Sequence, residues 1–201
     1  MQLSEDLRLL FDRLLEPWVG GIIAGGAVRD GLLGYPINDI DLWAQGNKPG
    51  PWKDLDFSEQ ENAAEYSMQD DCVRVTGCGA WTGTKTKPAD CRYPVQVMPI
   101  ERVDWEREPI APAELCRRFD YGACMAAYTR QDGLYLSIEF HADVAAKRFT
   151  LRNGRFTNMA RYERLFKKFS GWRVDKPDPD RRQRRQAQDD WDNLIEQGAP
   201  F

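Results

Sequence analysis

The sequence predicts an α/β (α+β) fold in which a small mixed sheet is flanked by helices. Leucines and a phenylalanine recur at helical spacing over residues 3–17, which predicts an amphipathic helix. The apolar run at residues 21–24 predicts a short buried strand. Alternating apolar residues at 73–75 and 95–98 predict two further strands. Helices and strands therefore mix along the chain.

The composition indicates a folded, weakly acidic protein. A chain of 201 residues with 42% hydrophobic residues can bury one solid core. A net charge of −4 provides no overall basic field, so any RNA contact must come from local basic patches. Five cysteines at irregular spacing favour reduced thiols and a cytoplasmic protein. The acidic N-terminal segment has no long apolar run, so neither a signal peptide nor a membrane span is expected there.

The most informative segment is residues 20–44, GGIIAGGAVRDGLLGYPINDIDLWA. Its strand breaks at Gly25 and Gly26, where a backbone without Cβ atoms can approach a ligand closely. A helix is predicted over residues 27–33, ended by Gly34. The backbone N–H groups at the start of this helix form a candidate phosphate site.

A second predicted strand carries Asp39 and Asp41 at alternate positions. Side chains at positions i and i+2 of a strand share one face. Two carboxylates that face a glycine turn at a helix start can hold a divalent metal against phosphates. Asp39 and Asp41 are therefore the candidate metal ligands.

Capping, turn and periodicity signals predict the remaining elements. A capping box formed by Ser58 and Glu61 predicts a helix that extends to Met68. The stretch from Gly77 to Gly83 predicts a glycine-rich turn. The other predicted elements are a helix over 112–128, a turn at 132–133, strands over 134–140 and 148–152, a basic-faced helix over 159–169 and a charged helical tail over 180–197.

GGAVRD followed by a strand with a DxD pattern resembles the opening motif of the DNA polymerase β-type nucleotidyltransferases. The resemblance is strongest to the class II branch, the CCA-adding enzymes and bacterial poly(A) polymerases. It implies a nucleotidyltransferase head that transfers a nucleoside monophosphate from an NTP to a hydroxyl acceptor, with Mg²⁺ or Mn²⁺ as cofactor. The expected acceptor is an RNA, foremost a tRNA 3′ end, because these relatives use one. Asp39 and Asp41 would then be the catalytic carboxylates.

The same resemblance places four residues of the motif around the nucleotide. The N–H groups of Gly25 and Gly26 are expected to hold the β- and γ-phosphates, and Arg29 to add positive charge. Asp30 is expected either in the nucleotide site or as the group that orients Arg29 or the turn.

A second stretch, LCRRFDYGACMAAY at residues 115–128, resembles the family element RRDFTINAMAY. Arg117 and Arg118 match its paired arginines. Asp120 matches its aspartate, displaced by one residue because Phe119 intervenes. In the family this element contacts the ribose of the incoming nucleotide, so these three residues are expected to bind the nucleotide.

A third stretch, TNMAR, starts at Thr157 and lies where the family has its template element EDxxR. Arg161 is retained, whereas Thr157 and Asn158 replace the two acids. Asn158 and Arg161 are expected to bind the nucleotide, but the family's route to CTP and ATP selection does not carry over. Asp143, which also falls in family order, is a candidate for positioning a primer or a helix, with a solvated carboxylate as the alternative.

Gln96 occupies the strand on which the superfamily commonly carries a third carboxylate. An amide is a poor substitute for a carboxylate as a Mg²⁺ ligand or a proton acceptor. Glu101, Asp120 and Glu139 are candidate replacements, and the residues do not choose among them. The alternative function is therefore a catalytically silent nucleotide-binding regulator or inhibitor on the same fold. A partner-binding protein whose tail docks elsewhere is a third reading.

The resemblance spans about residues 19–175 and predicts two parts. Residues 1–155 would form the head domain, and residues 156–201 a truncated helical neck with a charged tail. Family members continue with a long helical body that grips tRNA, so only a stub of neck is expected here. The basic run at 181–185 is a candidate phosphate contact, with a self-neutralising solvated helix as the alternative.

Overall fold

The computed structural model describes residues 1–56, 73–83, 86–102, 109–153 and 158–178. The helices in these ranges are α1 (Glu5–Leu15), α2 (Gly26–Leu33), α3 (Pro112–Cys116), α4 (Ile138–Ala145) and α5 (Met159–Lys168). Short 3-10 turns occupy Trp52–Asp54 and Gly122–Cys124. The strands are β1 (Ile22–Ala24), β2 (Ile40–Gln45), β3 (Leu55–Asp56), β4 (Val73–Val75), β5 (Gly79–Trp81), β6 (Val95–Arg102), β7 (Ala126–Thr129), β8 (Gly133–Leu136), β9 (Arg148–Phe149) and β10 (Arg173–Val174).

Eight strands form one mixed sheet, which confirms the predicted fold class. Seven of them run in the order β3-β5-β6-β2-β1-β7-β8, and β4 pairs with β6. β2 and β6 are parallel, whereas β1 is antiparallel to both β2 and β7. In the parallel pair Asp41 lies opposite Gln96. The sheet thus brings the start of β2 and the start of β6 to the same edge.

The helices before and after β1 follow the sequence signals closely. Ser4 caps α1 by accepting a hydrogen bond from the Leu7 N–H at 3.3 Å. The apolar face of α1 packs on the sheet through Leu10, Phe11, Leu14 and Leu15. α2 ends at Gly34, which adopts the left-handed conformation with φ of +74°.

The predicted helix over residues 112–128 is wrong beyond its first turns. The helix ends at Cys116, and Ala126–Thr129 instead form the central strand β7 between β1 and β8. The small apolar residues of this stretch suit either a buried helix or a buried strand, so periodicity alone cannot separate the two. A strand that is buried on both faces also has a continuous apolar run. Pairing with β1 is what makes this stretch a strand.

Two shorter predictions are wrong in part. The predicted strand over 134–140 ends at Leu136, because Ser137 caps α4 by accepting a hydrogen bond from the Phe140 N–H at 3.0 Å. The predicted glycine-rich turn contains β5, which pairs with β6. The helix predicted after Ser58 and the charged tail over 180–197 lie outside the described residues.

A second apolar cluster packs α5 against β9, β10 and the turn at Gly122–Cys124. Tyr121, Phe149 and Phe169 are fully buried in it. Asp143 of α4 lies beside this cluster with 2% exposure, and its Oδ2 accepts the N–H groups of Ala123 and Thr150, each at 2.8 Å. The carboxylate therefore ties α4 to the turn and to the strand that follows.

Replacing Asp143 with Ala is expected to lower the free energy of unfolding by about 2 kcal/mol, since one buried and one partly buried N–H group lose a charged acceptor. Urea unfolding measures the change. The matched control is Asp132→Ala at an exposed turn, which should change stability by less than about 0.5 kcal/mol. Equal stability of the two variants would contradict the structural role of Asp143.

Candidate active site

A cleft of about 300 Å³ lies between the start of α2, the starts of β2 and β6, and one face of α5. It gathers seven residues that the sequence assigned to the site: Gly26, Arg29, Asp30, Asp39, Asp41, Asn158 and Arg161. A larger groove of about 750 Å³ runs beside α1, but Asp30 is the only one of the predicted site residues that lines it. The smaller cleft is therefore the candidate active site.

The two candidate metal ligands lie at the start of β2. Asp39 precedes the strand and is exposed, whereas Asp41 lies within the strand and is partly buried. Burial, and then the charge of Asp39, raise the pKa of Asp41 to about 7, although Arg161 and Arg29 act in the opposite direction. The charged form of Asp41 is thus disfavoured in the folded protein, and a cation beside it would favour that form.

Gln96 lines the cleft where a third carboxylate was expected. It lies opposite Asp41 in the parallel β2–β6 pair, and its Oε1 accepts a weak hydrogen bond from the Cys78 thiol at 3.9 Å. Neither Glu101 nor Glu139 lines this cleft. Within the described ranges, no group of three or more His, Cys, Asp or Glu side chains is placed to hold a metal ion. The candidate metal ligands in the described cleft are therefore the two carboxylates Asp39 and Asp41, beside the Gln96 amide.

Gly25 shapes the turn between β1 and α2. Its φ is +84°, a conformation that L side chains rarely adopt, and a Cβ there would lie 3.5 Å from the ring of Phe119. Its N–H donates to the carbonyl of Ala126 at 2.8 Å. This N–H is used by the fold, so the candidate phosphate donors are Gly26 and the next N–H groups of the first helical turn, which have no acceptor within the helix.

Arg29 and Asp30 lie at the base of the cleft, with 4% and 3% exposure. The Arg29 Nε donates to Asp30 at 2.7 Å, and its Nη1 donates to the Cys124 thiol at 3.0 Å. Its guanidinium also lies over the rings of Phe149 and Phe169, 5.5 and 4.8 Å from their centroids. Asp30 therefore orients Arg29, one of the two roles expected for it.

Asp120 acts on the cleft through Arg161. Its carboxylate is 2% exposed and accepts hydrogen bonds from Nε and Nη2 of Arg161, the latter at 2.9 Å. Arg161 lines the cleft while Asp120 lies behind it. This paired contact fixes the direction of the guanidinium.

Asn158 is the N-cap of α5. Its Oδ1 accepts the backbone N–H of Arg161 at 2.8 Å, so the amide oxygen is used by the helix terminus. Thr157, the other altered template position, lies outside the described residues. The cap explains physically why Asn suits this position.

The structure does not bring Arg117 and Arg118 to the cleft. Arg117 is exposed at the end of α3. Arg118 is buried, and its Nη1 donates to the carbonyl of Val73 in β4. From these positions, a role in nucleotide binding would require a ligand that extends beyond the cleft.

Three polar residues that line the cleft were not predicted from the sequence, namely Asn38, Arg164 and Lys168. Arg164 and Lys168 follow Arg161 at i+3 and i+7, so helical spacing alone places all three on one face of α5. Asn38 lies beside Asp39 in the loop before β2. The cleft consequently has an acidic wall at Asp39 and Asp41 and a cationic wall along α5.

No family model matches the chain, and no curated protein matches it in sequence. Solved structures do match. The Bacillus stearothermophilus CCA-adding enzyme in complex with CTP is 14% identical over 85% of this chain and 40% of that chain, with a TM-score of 0.50. The fold is that of a polymerase β-like nucleotidyltransferase head.

Two further solved structures match this chain with lower TM-scores. The Thermotoga maritima CCA-adding enzyme complexed with tRNA is 16% identical over 85% of this chain and 38% of that chain, with a TM-score of 0.46. A tRNA-processing enzyme in an apo form is 19% identical over 88% of this chain and 46% of that chain, with a TM-score of 0.48. The chain spans less than half the length of each solved chain.

Among the helices of the described residues, none is both long enough and apolar enough to cross a bilayer.

Proposed function

We propose that this head transfers a nucleoside monophosphate from an NTP to a hydroxyl of RNA, with a tRNA 3′ end as the leading acceptor. The observation that carries the proposal is the pairing of Asp39 and Asp41 with the start of α2 in a cleft whose opposite wall is cationic. A metal–triphosphate has matching chemistry, because its cation suits the carboxylates and its phosphates suit the N–H groups and the cations.

Asp39 and Asp41 would hold the divalent ion, Mg²⁺ or Mn²⁺. Their chemistry fits, because carboxylate oxygens are the ligands these ions prefer. Burial, and then the charge of Asp39, raise the pKa of Asp41, so a bound cation would favour its charged form. When bound, the metal would neutralise charge on the phosphates and activate the acceptor hydroxyl. Gln96 would supply at most a neutral oxygen beside them.

The chain's own residues would bind and orient the triphosphate. The free N–H groups at the start of α2 can donate to phosphate oxygens, as helix N-termini commonly do. Arg161 is held in place by Asp120, so its charge is already oriented before a ligand binds. Arg164 lies on the same face of α5 and is exposed.

An NTP substrate is also supported by the Bacillus stearothermophilus neighbour, a CCA-adding enzyme in complex with CTP. The RNA acceptor rests on the sequence resemblance to that family. No base preference is part of the proposed activity, since Asn158 serves as a helix cap and Thr157 and Asn158 replace the acidic template pair. The free thiols of Cys78, Cys91, Cys116 and Cys124 support a cytoplasmic setting.

Incubation with each of the four labelled NTPs, Mg²⁺ or Mn²⁺ and total RNA tests the proposal. After gel separation, we expect the label in a band of tRNA size for at least one nucleotide. A parallel reaction with EDTA should give no labelled RNA. Absence of label from RNA with every nucleotide and both metals would contradict RNA as the acceptor.

A second candidate is a nucleotide-binding module that does not transfer. Gln96 opposite Asp41 favours it, because an amide stands at the β6 position where the superfamily commonly carries a carboxylate. Calorimetry with each NTP separates the two functions. Metal-dependent binding without release of pyrophosphate would support the silent module, whereas binding with pyrophosphate release would support the enzyme.

A further inference from the structure

We infer that Lys168 is a positioning residue for Asp39, because it ties the end of α5 to the loop that carries Asp39 into the cleft. The inference rests on the proposed function, in which Asp39 is a metal ligand. Lys168 was not predicted from the sequence as a site residue. The inference gives the last turn of α5 a specific role.

The Lys168 ammonium joins two elements. Its Nζ donates to Oδ2 of Asp30 in α2 and to the backbone carbonyl of Pro36, each at 2.6 Å. The Lys168 side chain is 20% exposed and the Asp30 side chain is 4% exposed. Hydrogen bonds with an ionised donor are the stronger class, and partial burial protects this pair from screening by water and salt.

Ile37 packs against the core, but the loop between α2 and β2 has few other hydrogen bonds that fix it. The Tyr35 N–H donates to the Asp30 carbonyl at 2.9 Å, and the Ile40 N–H donates to the Pro94 carbonyl at 2.9 Å. Between these two bonds, the Lys168 contact is the one hydrogen bond that reaches residues 36–39 from the described parts of the chain. Its attachment point lies three residues before Asp39.

Asp30, the carboxylate that Lys168 contacts, is also held by other residues. Asp30 is held a second time by Arg29, whose guanidinium packs on Phe149 and Phe169. The residue after Lys168 is Phe169, and its ring packs against Tyr35 at 4.3 Å between centroids. The end of α5 therefore contacts the loop through both a polar and an aromatic contact.

Removing the ammonium has a local consequence. Asp30 keeps Arg29 as a partner, so the buried carboxylate remains paired. The Pro36 carbonyl loses its donor, so the segment from Pro36 to Asp39 loses its hydrogen bond to α5, whereas Tyr35 keeps its contact with Phe169. We therefore expect the cleft to bind a divalent cation more weakly, although a positive charge has been removed from its wall.

The direction of the change in Mn²⁺ binding separates a positioning role of Lys168 from a purely electrostatic one. A lysine that acted only through its charge would repel the cation, so its removal would tighten binding. Lys167 is the matched control, because it lies on the same helix, carries the same charge and is exposed.

The test measures binding of Mn²⁺ to the full chain, with electron paramagnetic resonance as the assay for the free ion. Lys168→Met should weaken binding at least about fivefold, Lys168→Arg should stay within about twofold of wild type, and Lys167→Met should not weaken it. Lys168→Gln replaces the Met variant if that one does not fold. Unchanged or tighter Mn²⁺ binding by both Lys168→Met and Lys168→Gln would overturn the inference.

A double-mutant cycle shows whether the effect acts through Asp39. In an Asp39→Asn background, Lys168→Met should change Mn²⁺ binding by less than about twofold. An equal loss in both backgrounds would indicate general loosening and would overturn the inference. Failure of the wild-type chain to bind Mn²⁺ would instead contradict the metal site of the proposed function, so the two failures are distinguishable.

Discussion

Replacing both Asp39 and Asp41 with Ala is expected to reduce nucleotidyl transfer at least about 1000-fold, or about 4 kcal/mol of transition-state stabilisation. The two carboxylates provide the anionic wall of the cleft, and Gln96 cannot replace their charge. The measurement is the initial rate of label incorporation from an α-labelled NTP into RNA.

The control for this loss is Asp90→Ala. Asp90 is a surface carboxylate whose described ion pair is with Arg13, and it does not line the cleft. Its variant should retain wild-type rates. Transfer by the double variant at a rate close to that of wild type would remove Asp39 and Asp41 from the catalytic site.

Replacing Asp41 alone with Asn is expected to stabilise the folded protein while abolishing transfer. Burial and the neighbouring Asp39 raise the pKa of Asp41 from 3.8 to about 7, so the folded state disfavours its charged form. One pKa unit corresponds to about 1.4 kcal/mol, which sets a ceiling of about 4 kcal/mol for the gain above pH 7. Urea unfolding at pH 8 without divalent ions measures it.

The pH dependence has a definite sign. Between about pH 4 and pH 7 the folded state binds more protons at Asp41 than the unfolded chain does, so wild-type stability falls as the pH rises. The stability of the Asp41→Asn variant does not fall in this way, because the amide does not titrate. Its advantage should be greatest at pH 8 and shrink toward pH 4, and Mg²⁺ should stabilise the wild type but not the variant. A wild-type protein more stable than Asp41→Asn at pH 8 would contradict the raised pKa.

The strands and helices around Gly25 and Gly26 could be predicted because their signals are local. An apolar strand, a glycine turn and a stop at Gly34 each depend on neighbouring residues only. The stretch ending at Tyr128 could not be predicted correctly, because its small apolar residues fit a helix equally well. Its strand conformation depends on pairing with β1, which is distant in sequence.

In the candidate site, too, some features follow from local sequence and others depend on contacts between distant residues. The alternation of Asp39 and Asp41 and the family motif were sufficient to locate the acidic wall. The role of Asp120 behind Arg161, and the contact of Lys168 with Asp30 and Pro36, arise from packing of α5 against distant elements. Sequence spacing could place Lys168 on the face of Arg161, but it could not reveal these partners.

The positions of the phosphate labels test the central claim most directly. The protein is incubated with RNA, Mg²⁺ and an NTP labelled with ³²P at either the α- or the γ-phosphate. Nucleotidyl transfer predicts that the α-label enters RNA while the γ-label is released in pyrophosphate. Entry of the γ-label into RNA, or of neither label while the NTP remains intact, would contradict a nucleotidyltransferase.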